Sequence, residues 1–268
     1  MPTPQFVIRT VIAFALGAGV VSAGHAQGVP AATRTDLENV SRMRIYFGHQ
    51  SVGTNLLEGV AELAAQAGVK VDIVNMQSAN GLGKPAIGHT FIAENGRPYE
   101  KLQAFAQAMG TQAANVDVAL VKLCYLDFTA TTDAAALFSR YQAVMAELRA
   151  RHPKTTFVHV TVPLTTIAGG AKEWAKRMLG KAPYGMLENM RREEYNALLR
   201  KAYQGREPVF DLARTESTAP DGKTATAEWK GSTVPVLAAV YTHDGGHLND
   251  EGKRRAAGAL LSVLGGIR

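Results

Sequence analysis

Cysteine is nearly absent: Cys124 is the only one in 268 residues. No disulfide can form within the chain, and a zinc ribbon cannot be built from cysteine, so any metal would need His, Asp or Glu as ligands. Long hydrophobic runs are missing as well. The apolar stretch Thr10 to Val21 falls short of the roughly 20 residues a permanent membrane span requires. There is no polybasic run: 29 Lys+Arg against 23 Asp+Glu leave a formal net charge of +6 spread along the chain. That distribution argues against nucleic acid as a partner and leaves an acidic surface polymer open. Internal repeats and low-complexity tracts are absent, which excludes collagen-like and disordered classes. What is present is 46% hydrophobic residues, enough for one full core, and a length that fits one large domain better than two small ones.

Residues 1–26 read as an export signal: a positive start at Arg9, the apolar stretch behind it, and Gly24-His25-Ala26 at the cleavage positions. The expected product is a single domain over 27–268, with the formal charge lowered by the loss of Arg9. Its expected destination is the bacterial periplasm or the medium, without stable membrane insertion.

From Arg42 onward, short β-branched runs alternate with helical patterns, the signature of βα units around a parallel sheet. Strands are predicted over Arg42–Phe47, Val69–Asn75, Val116–Leu123, Thr156–Leu164 and Pro208–Leu212. Leu56, Leu57, Val60, Leu63 and Ala64 recur at helical spacing, as do Leu137, Tyr141, Val144, Met145 and Leu148. The expectation is a three-layer α/β/α sandwich with a five-stranded, mainly parallel sheet. Three connections are long: Met76–Gly96, Thr165–Tyr184 and Ala213–Gly246. Each begins at a predicted strand end, where open parallel sheets bind their ligands. The segment Thr165–Lys181 carries Lys172, Lys176, Arg177 and Lys181 against Glu173, with Trp174 and Met178 beside them. It reads either as a basic, partly apolar flap over the site or as an ordinary solvated amphipathic helix.

Chemistry concentrates in two places. In Tyr241-Thr242-His243-Asp244-Gly245-Gly246-His247-Leu248-Asn249, a carboxylate lies three residues before an imidazole across two glycines. Asp244 can therefore fold back, accept the Nδ1 proton and leave Nε2 free as a base. Asn249 or Asp250 can then cap a helix through Ala256–Leu264. The bland alternative is a glycine turn ahead of a helix. The second place is His49-Gln50-Ser51-Val52-Gly53-Thr54-Asn55, directly after the first strand. A serine on such a strand-to-helix turn exposes its hydroxyl beside the helix N–H donors, or else merely caps the helix.

Together these elements resemble the SGNH, or GDSL, hydrolases, in which a serine after the first strand works with an Asp-x-x-His element before the last helix. The resemblance spans the mature domain and implies a flavodoxin-like topology. It also implies a Ser51, Asp244 and His247 triad that cleaves small acyl esters, including O-acetyl groups on glycans, without a cofactor. Asn75 with Asn80-Gly81 resembles the family's oxyanion loop, so Ser51, Gly81 and Asn80 are the implied oxyanion residues. Two blocks depart from the pattern. His49-Gln50-Ser51 stands where the family has Gly-Asp-Ser, and Cys124-Tyr125-Leu126-Asp127 stands for Gly-x-Asn-Asp, so the oxyanion asparagine is replaced by Leu126. Asn55, Asn80, His49 and Lys122 are candidates for the missing donor.

Other readings stay open. Lys122, charged within a strand, needs a partner, and Asp127 is the expected one. Cys124 reads as a buried inert thiol rather than a nucleophile. His49-Gln50-Ser51-Val52-Gly53 is similar to the α/β-hydrolase elbow, but in that fold the acid and histidine do not share one turn. A metal-dependent phosphoesterase would draw on His49, Asp127, Asp244 and His247, with or without His243. A non-catalytic, glycan-binding relative would keep the cleft and lose turnover.

Overall fold

A computed structural model describes residues 31–110 and 115–267; the export-signal reading lies outside the described residues. The chain opens with α1 (Arg34–Val40) and β1 (Arg44–His49), then α2 (Ser51–Ala67). Leu56, Leu57, Val60 and Ala64 form the buried stripe of α2, and Gly68 at φ 63° ends it in the left-handed conformation that glycine adopts most readily. Next come β2 (Ile73–Asn75), β3 (Ala86–Phe91), α3 (Pro98–Met109), β4 (Val118–Val121) and α4 (Ala134–Arg151). The chain continues with β5 (Thr156–Val160), α5 (Ala171–Met178), α6 (Met186–Tyr203), β6 (Val209–Phe210) and α7 (Leu212–Ser217). A hairpin of β7 (Thr226–Trp229) and β8 (Ser232–Pro235) precedes α8 (Asp250–Gly265). No helix among the described residues is long and apolar enough to cross a membrane.

The main sheet has six strands in the order β2-β3-β1-β4-β5-β6, all pairs parallel. Side chains alternate between its faces, as a strand's period of two requires. Ile45, Phe47, Val118, Leu120, Val158 and Val160 join a core with α1, α2 and α8. Tyr46, Ala119, Val121 and Phe157 join a second core with α3, α4 and α6. The protein is therefore an α/β/α sandwich, as the alternation of short apolar runs and helical patterns implies.

The expected five strands are corrected to six. The extra one, β3, lies inside the predicted loop Met76–Gly96 and inserts between β1 and the expected second strand. Its sequence, Ala-Ile-Gly-His-Thr-Phe, has neither a continuous apolar run nor clean alternation. It is a strand because β1 and β2 pair with it on both edges. The turn Ala79–Gly81 between β2 and β3 belongs to the return path that carries the chain back along the sheet. Leu82 and the Met76 side chain lie against Gly88 in the middle of β3.

Candidate active site

Ser51 is the first residue of α2, separated from the end of β1 by Gln50 alone. Its N–H belongs to the first turn, which has no intrahelical acceptor, and the helix start contributes partial positive charge there. The entry to this turn is fixed by its neighbours. Gln50 donates its side-chain amide to the carbonyl of Ile92 at 2.6 Å and also to that of Ala93. Those bonds hold Ala93 at φ 31°, a conformation costly for a residue with a Cβ, on the order of 1–3 kcal/mol. The His49 ring lies directly beneath the turn: a Cβ on Gly53 would sit 2.3 Å from its Cγ. His49 and Gly53 therefore belong together, the small residue leaving room for the imidazole.

The Asp244–His247 turn meets this helix start from the far end of the sequence. Ser51 Oγ lies 2.9 Å from His247 Nε2, and His247 Nδ1 lies 2.6 Å from Asp244 Oδ2. The other oxygen, Asp244 Oδ1, accepts the backbone N–H groups of Gly246 and His247 at 2.9 and 2.8 Å. The Gly246 N–H and the bonds to His247 hold the Asp244 carboxyl well below the usual carboxylate range. An ionised Asp244 accepting from Nδ1 leaves Nε2 as the lone-pair nitrogen facing serine. The two glycines have separate reasons. Gly245 has φ 85° and donates to Thr242 Oγ1 at 2.9 Å, while a Cβ on Gly246 would meet the Tyr125 ring at 2.9 Å. Asn55 completes the junction by accepting the Leu248 N–H at 3.2 Å, tying α2 to the histidine turn.

Several expected site residues have other partners. Asn80 lies against Gly110, just past the end of α3 that is remote from Ser51: a Cβ on Gly110 would be 3.2 Å from its amide. Gly81 packs on Met76 along the return path. The oxyanion assignment of Asn80 and Gly81 is thus corrected. The inserted β3 displaces their loop from β1, and the loop after β3, at Ile92–Gly96, stands there instead. Its glycine is not a spare donor, because the Gly96 N–H is bonded to Asp127 Oδ1 at 2.9 Å.

Asp127 does not pair with Lys122. It forms a fully buried ion pair with Lys101 of α3 at 2.7 Å and accepts the Cys124 N–H at 2.6 Å. Lys122 is buried and donates to the Leu123 carbonyl at 3.2 Å; burial pushes its amine down to about 8. Nearby Glu216, also buried, is pushed up to about 8 by desolvation. His49 has no donor to spare either. Its Nδ1 faces the Gln50 carbonyl at 2.8 Å and its Nε2 faces His89 Nδ1 at 3.0 Å, so the carbonyl requires a proton on Nδ1. Burial pushes this imidazole down to about 4, and Lys122 and His89 act in the same direction. Cys124 is buried. Asp127 in its ion pair and His49 against His89 are thereby kept apart from the Asp244–His247 pair. Among the described residues no group of three His, Cys, Asp or Glu could hold a metal ion.

Tyr125 is the residue that motif reading passes over. Its hydroxyl lies 3.5 Å from His247 Nε2, and the two rings meet edge to face at 5.8 Å. Buried Arg192 donates to the Tyr125 carbonyl at 3.1 Å and to Thr165 Oγ1 at 2.9 Å, and lies 5.8 Å over the tyrosine ring. Burial pushes the Tyr125 phenol up to about 12, so it remains a protonated donor. The only signal for it in the sequence is its place next to Leu126. Leu126, Tyr184, Thr166, Glu188 and Arg192 line, with Tyr125 and the Asp244–Gly246 turn, a cavity of about 490 Å³ beside the catalytic candidates. A second cavity, of about 530 Å³, lies remote from them between α1, α2 and α8.

No protein-family model matches the chain, and no curated protein matches it. Solved structures similar to it include the acetyl xylan esterase AlAXEase (18% identity, 81% of this chain and 97% of that one, TM-score 0.47). Others are a family 3 carbohydrate esterase from Clostridium thermocellum (14%, 82% and 94%, 0.41) and phospholipase A1 from Streptomyces albidoflavus NA297 (13%, 83% and 98%, 0.41).

Proposed function

We propose that this chain is a serine-dependent hydrolase of acyl esters, with Ser51, His247 and Asp244 as its catalytic residues. The observation that carries the reading is the unbroken hydrogen-bonded chain from Ser51 Oγ through both nitrogens of His247 to Asp244. Its outer oxygen is fixed by two backbone donors. In the first half-reaction Ser51 Oγ attacks the ester carbonyl as its proton passes to His247 Nε2. The tetrahedral intermediate collapses, the imidazolium returns the proton to the leaving alkoxide, and an alcohol departs. Water then repeats the sequence on the acyl-serine and releases the carboxylic acid. Asp244 holds the imidazole in the tautomer that can accept the serine proton and stabilises the imidazolium. The negative charge is met by the Ser51 N–H at the start of α2 and by the Tyr125 hydroxyl, which takes the part of the absent asparagine amide.

In this reading the protein is exported and works in the periplasm or the medium on small acyl esters, acetylated glycans among them. A cavity of about 490 Å³ bounds the substrate portion held beside the triad. The second reading, a binding relative that has lost turnover, is favoured by one observation: Gly96 N–H is engaged by Asp127 and the Leu126 side chain has no polar atom, so the donors are fewer. A chromogenic acetate ester tests the choice. Hydrolysis that Ser51→Ala and His247→Ala each lower by about 10⁴-fold or more, with the fold intact by circular dichroism, supports catalysis. No turnover on a broad ester panel, with measurable glycan binding, replaces it with the second reading. Activity that survives Ser51→Ala and disappears with a chelator refutes both.

A further inference from the structure

Helix α5 is built inside out. Its one buried side chain is Glu173, whose carboxylate takes Lys176 Nζ at 2.7 Å and the Tyr184 N–H at 3.1 Å. Arg177 on the same flank donates to the Glu228 carbonyl of the β7–β8 hairpin at 3.3 Å. Ala171, Trp174, Ala175 and Met178, spaced i, i+3, i+4 and i+7, form the opposite face, which points to solvent. Trp174 is 65% exposed and Met178 70%, and Leu179, just past the helix, is 74% exposed. A surface helix of a globular protein normally turns such a stripe inward. Here the polar face holds the helix on the protein and the apolar face is presented outward.

We propose that this face is a docking surface for an anionic lipid layer. The charge around it selects that occupant. Lys172, Lys176, Arg177 and Lys181 accompany a single acidic residue, Glu173, which is already engaged. An apolar ridge bearing a tryptophan and flanked by lysines matches the boundary between acyl chains and anionic headgroups, where the ring sits at the interface and lysine stems snorkel outward. A second copy of this chain would bring the same cations face to face. The position of the helix gives the contact a purpose. Tyr184, 72% exposed, leads from α5 to the wall of the cavity beside the triad, and Leu126, 49% exposed, stands on that wall too. A lipid layer on α5 would lie against the cavity mouth, so esters carried in that layer would reach Ser51 without leaving it. This last step rests on the ester-hydrolase reading; the docking itself does not.

The test therefore separates binding from turnover. The leader-free chain, residues 27–268, is used so that the apolar stretch Thr10–Val21 does not itself partition. It carries Ser51→Ala to prevent hydrolysis and Trp229→Phe to leave Trp174 as the only tryptophan. It is mixed with vesicles of phosphatidylcholine alone, or of equal parts phosphatidylcholine and phosphatidylglycerol. The expected result is sedimentation with the anionic vesicles only, a blue shift of Trp174 emission, and release by salt. Lys172→Glu with Lys181→Glu should weaken that partitioning by more than about tenfold, and Trp174→Ser with Met178→Ser should abolish sedimentation. These positions are exposed, so an unchanged melting curve is the control for folding. No sedimentation with anionic vesicles, equal sedimentation with neutral ones, or self-association that Trp174→Ser with Met178→Ser dissolves would each overturn the proposal. None of those outcomes bears on whether the wild-type chain cleaves an ester.

Discussion

The Tyr125 hydroxyl and His247 Nε2 lie 3.5 Å apart, and the same nitrogen meets Ser51 Oγ at 2.9 Å. Two hydroxyls thus converge on one lone pair, and only one of them can be the nucleophile. The Tyr125 phenol is pushed up to about 12, which suits it to donate rather than to attack. Tyr125→Phe removes the donor and keeps the ring that packs on His247. In the proposed mechanism it should lower kcat by about 10²-fold with little change in KM, because the bond forms to charge that develops only in the transition state. Steady-state kinetics on a soluble acetate ester check this. An unchanged kcat would remove Tyr125 from the mechanism.

Gly246→Ala probes the same contact from the other side. An added methyl would sit 2.9 Å from the Tyr125 ring, so ring or turn must move by several tenths of an ångström. The turn lies at the surface, so the stability cost should stay near 1 kcal/mol. Turnover should fall much further, by at least about tenfold, since small misplacements of reacting groups cost rate steeply. Melting temperature and kcat measured on one preparation separate the two effects; equal proportional losses in both would mean general unfolding instead.

What the sequence makes legible here is local: Asp244 and His247 share one turn, and Ser51 sits where a strand becomes a helix, so chemistry and spacing mark them as candidates and the fold brings them into contact. The oxyanion side is not legible locally, because it depends on strand order. Asn80-Gly81 follows the second strand in the chain, yet β3 separates that strand from β1. The strand itself is masked by Gly88, which has no side chain, and by the polar His89 and Thr90, which together break the apolar run. The partner of Asp127 is illegible for a similar reason: Lys101 sits in a helix with an ordinary amphipathic pattern, and nothing local marks it as buried.

Lys101 and Asp127 make a strong stability prediction. Both side chains are fully buried and 2.7 Å apart, and Asp127 also holds Gly96 and Cys124, which brackets the loops beside Leu126. Lys101→Met leaves a buried carboxylate without its cation and should destabilise the protein by about 3–5 kcal/mol. Adding Asp127→Asn removes the stranded charge, so the double variant should recover a large part of that loss. Chemical denaturation of the four proteins gives the coupling directly. Simple additivity of the two substitutions would show that the pair is not coupled.

His49 should make stability depend on mildly acidic pH. In the unfolded chain its imidazole protonates near the ordinary value of about 6.5, whereas in the folded protein burial delays protonation to about 4. Between those values the unfolded state binds the extra proton, so stability is fully present above about 6.5 and is lost as pH falls toward 4. The size of the effect is on the order of 2–3 kcal/mol. His89 contributes in the same direction, because burial lowers its imidazole too. Denaturation midpoints at pH 7 and pH 4.5 for the wild type and for His49→Asn measure the difference. The variant, weaker at pH 7 because it loses the bond to His89 and the packing over Gly53, should lose less stability between the two pH values than the wild type. A wild-type midpoint that stays level across this interval would mean that His49 protonates at the same pH in both states. Such a result would contradict the burial of an imidazole whose two nitrogens are engaged by Gln50 and His89.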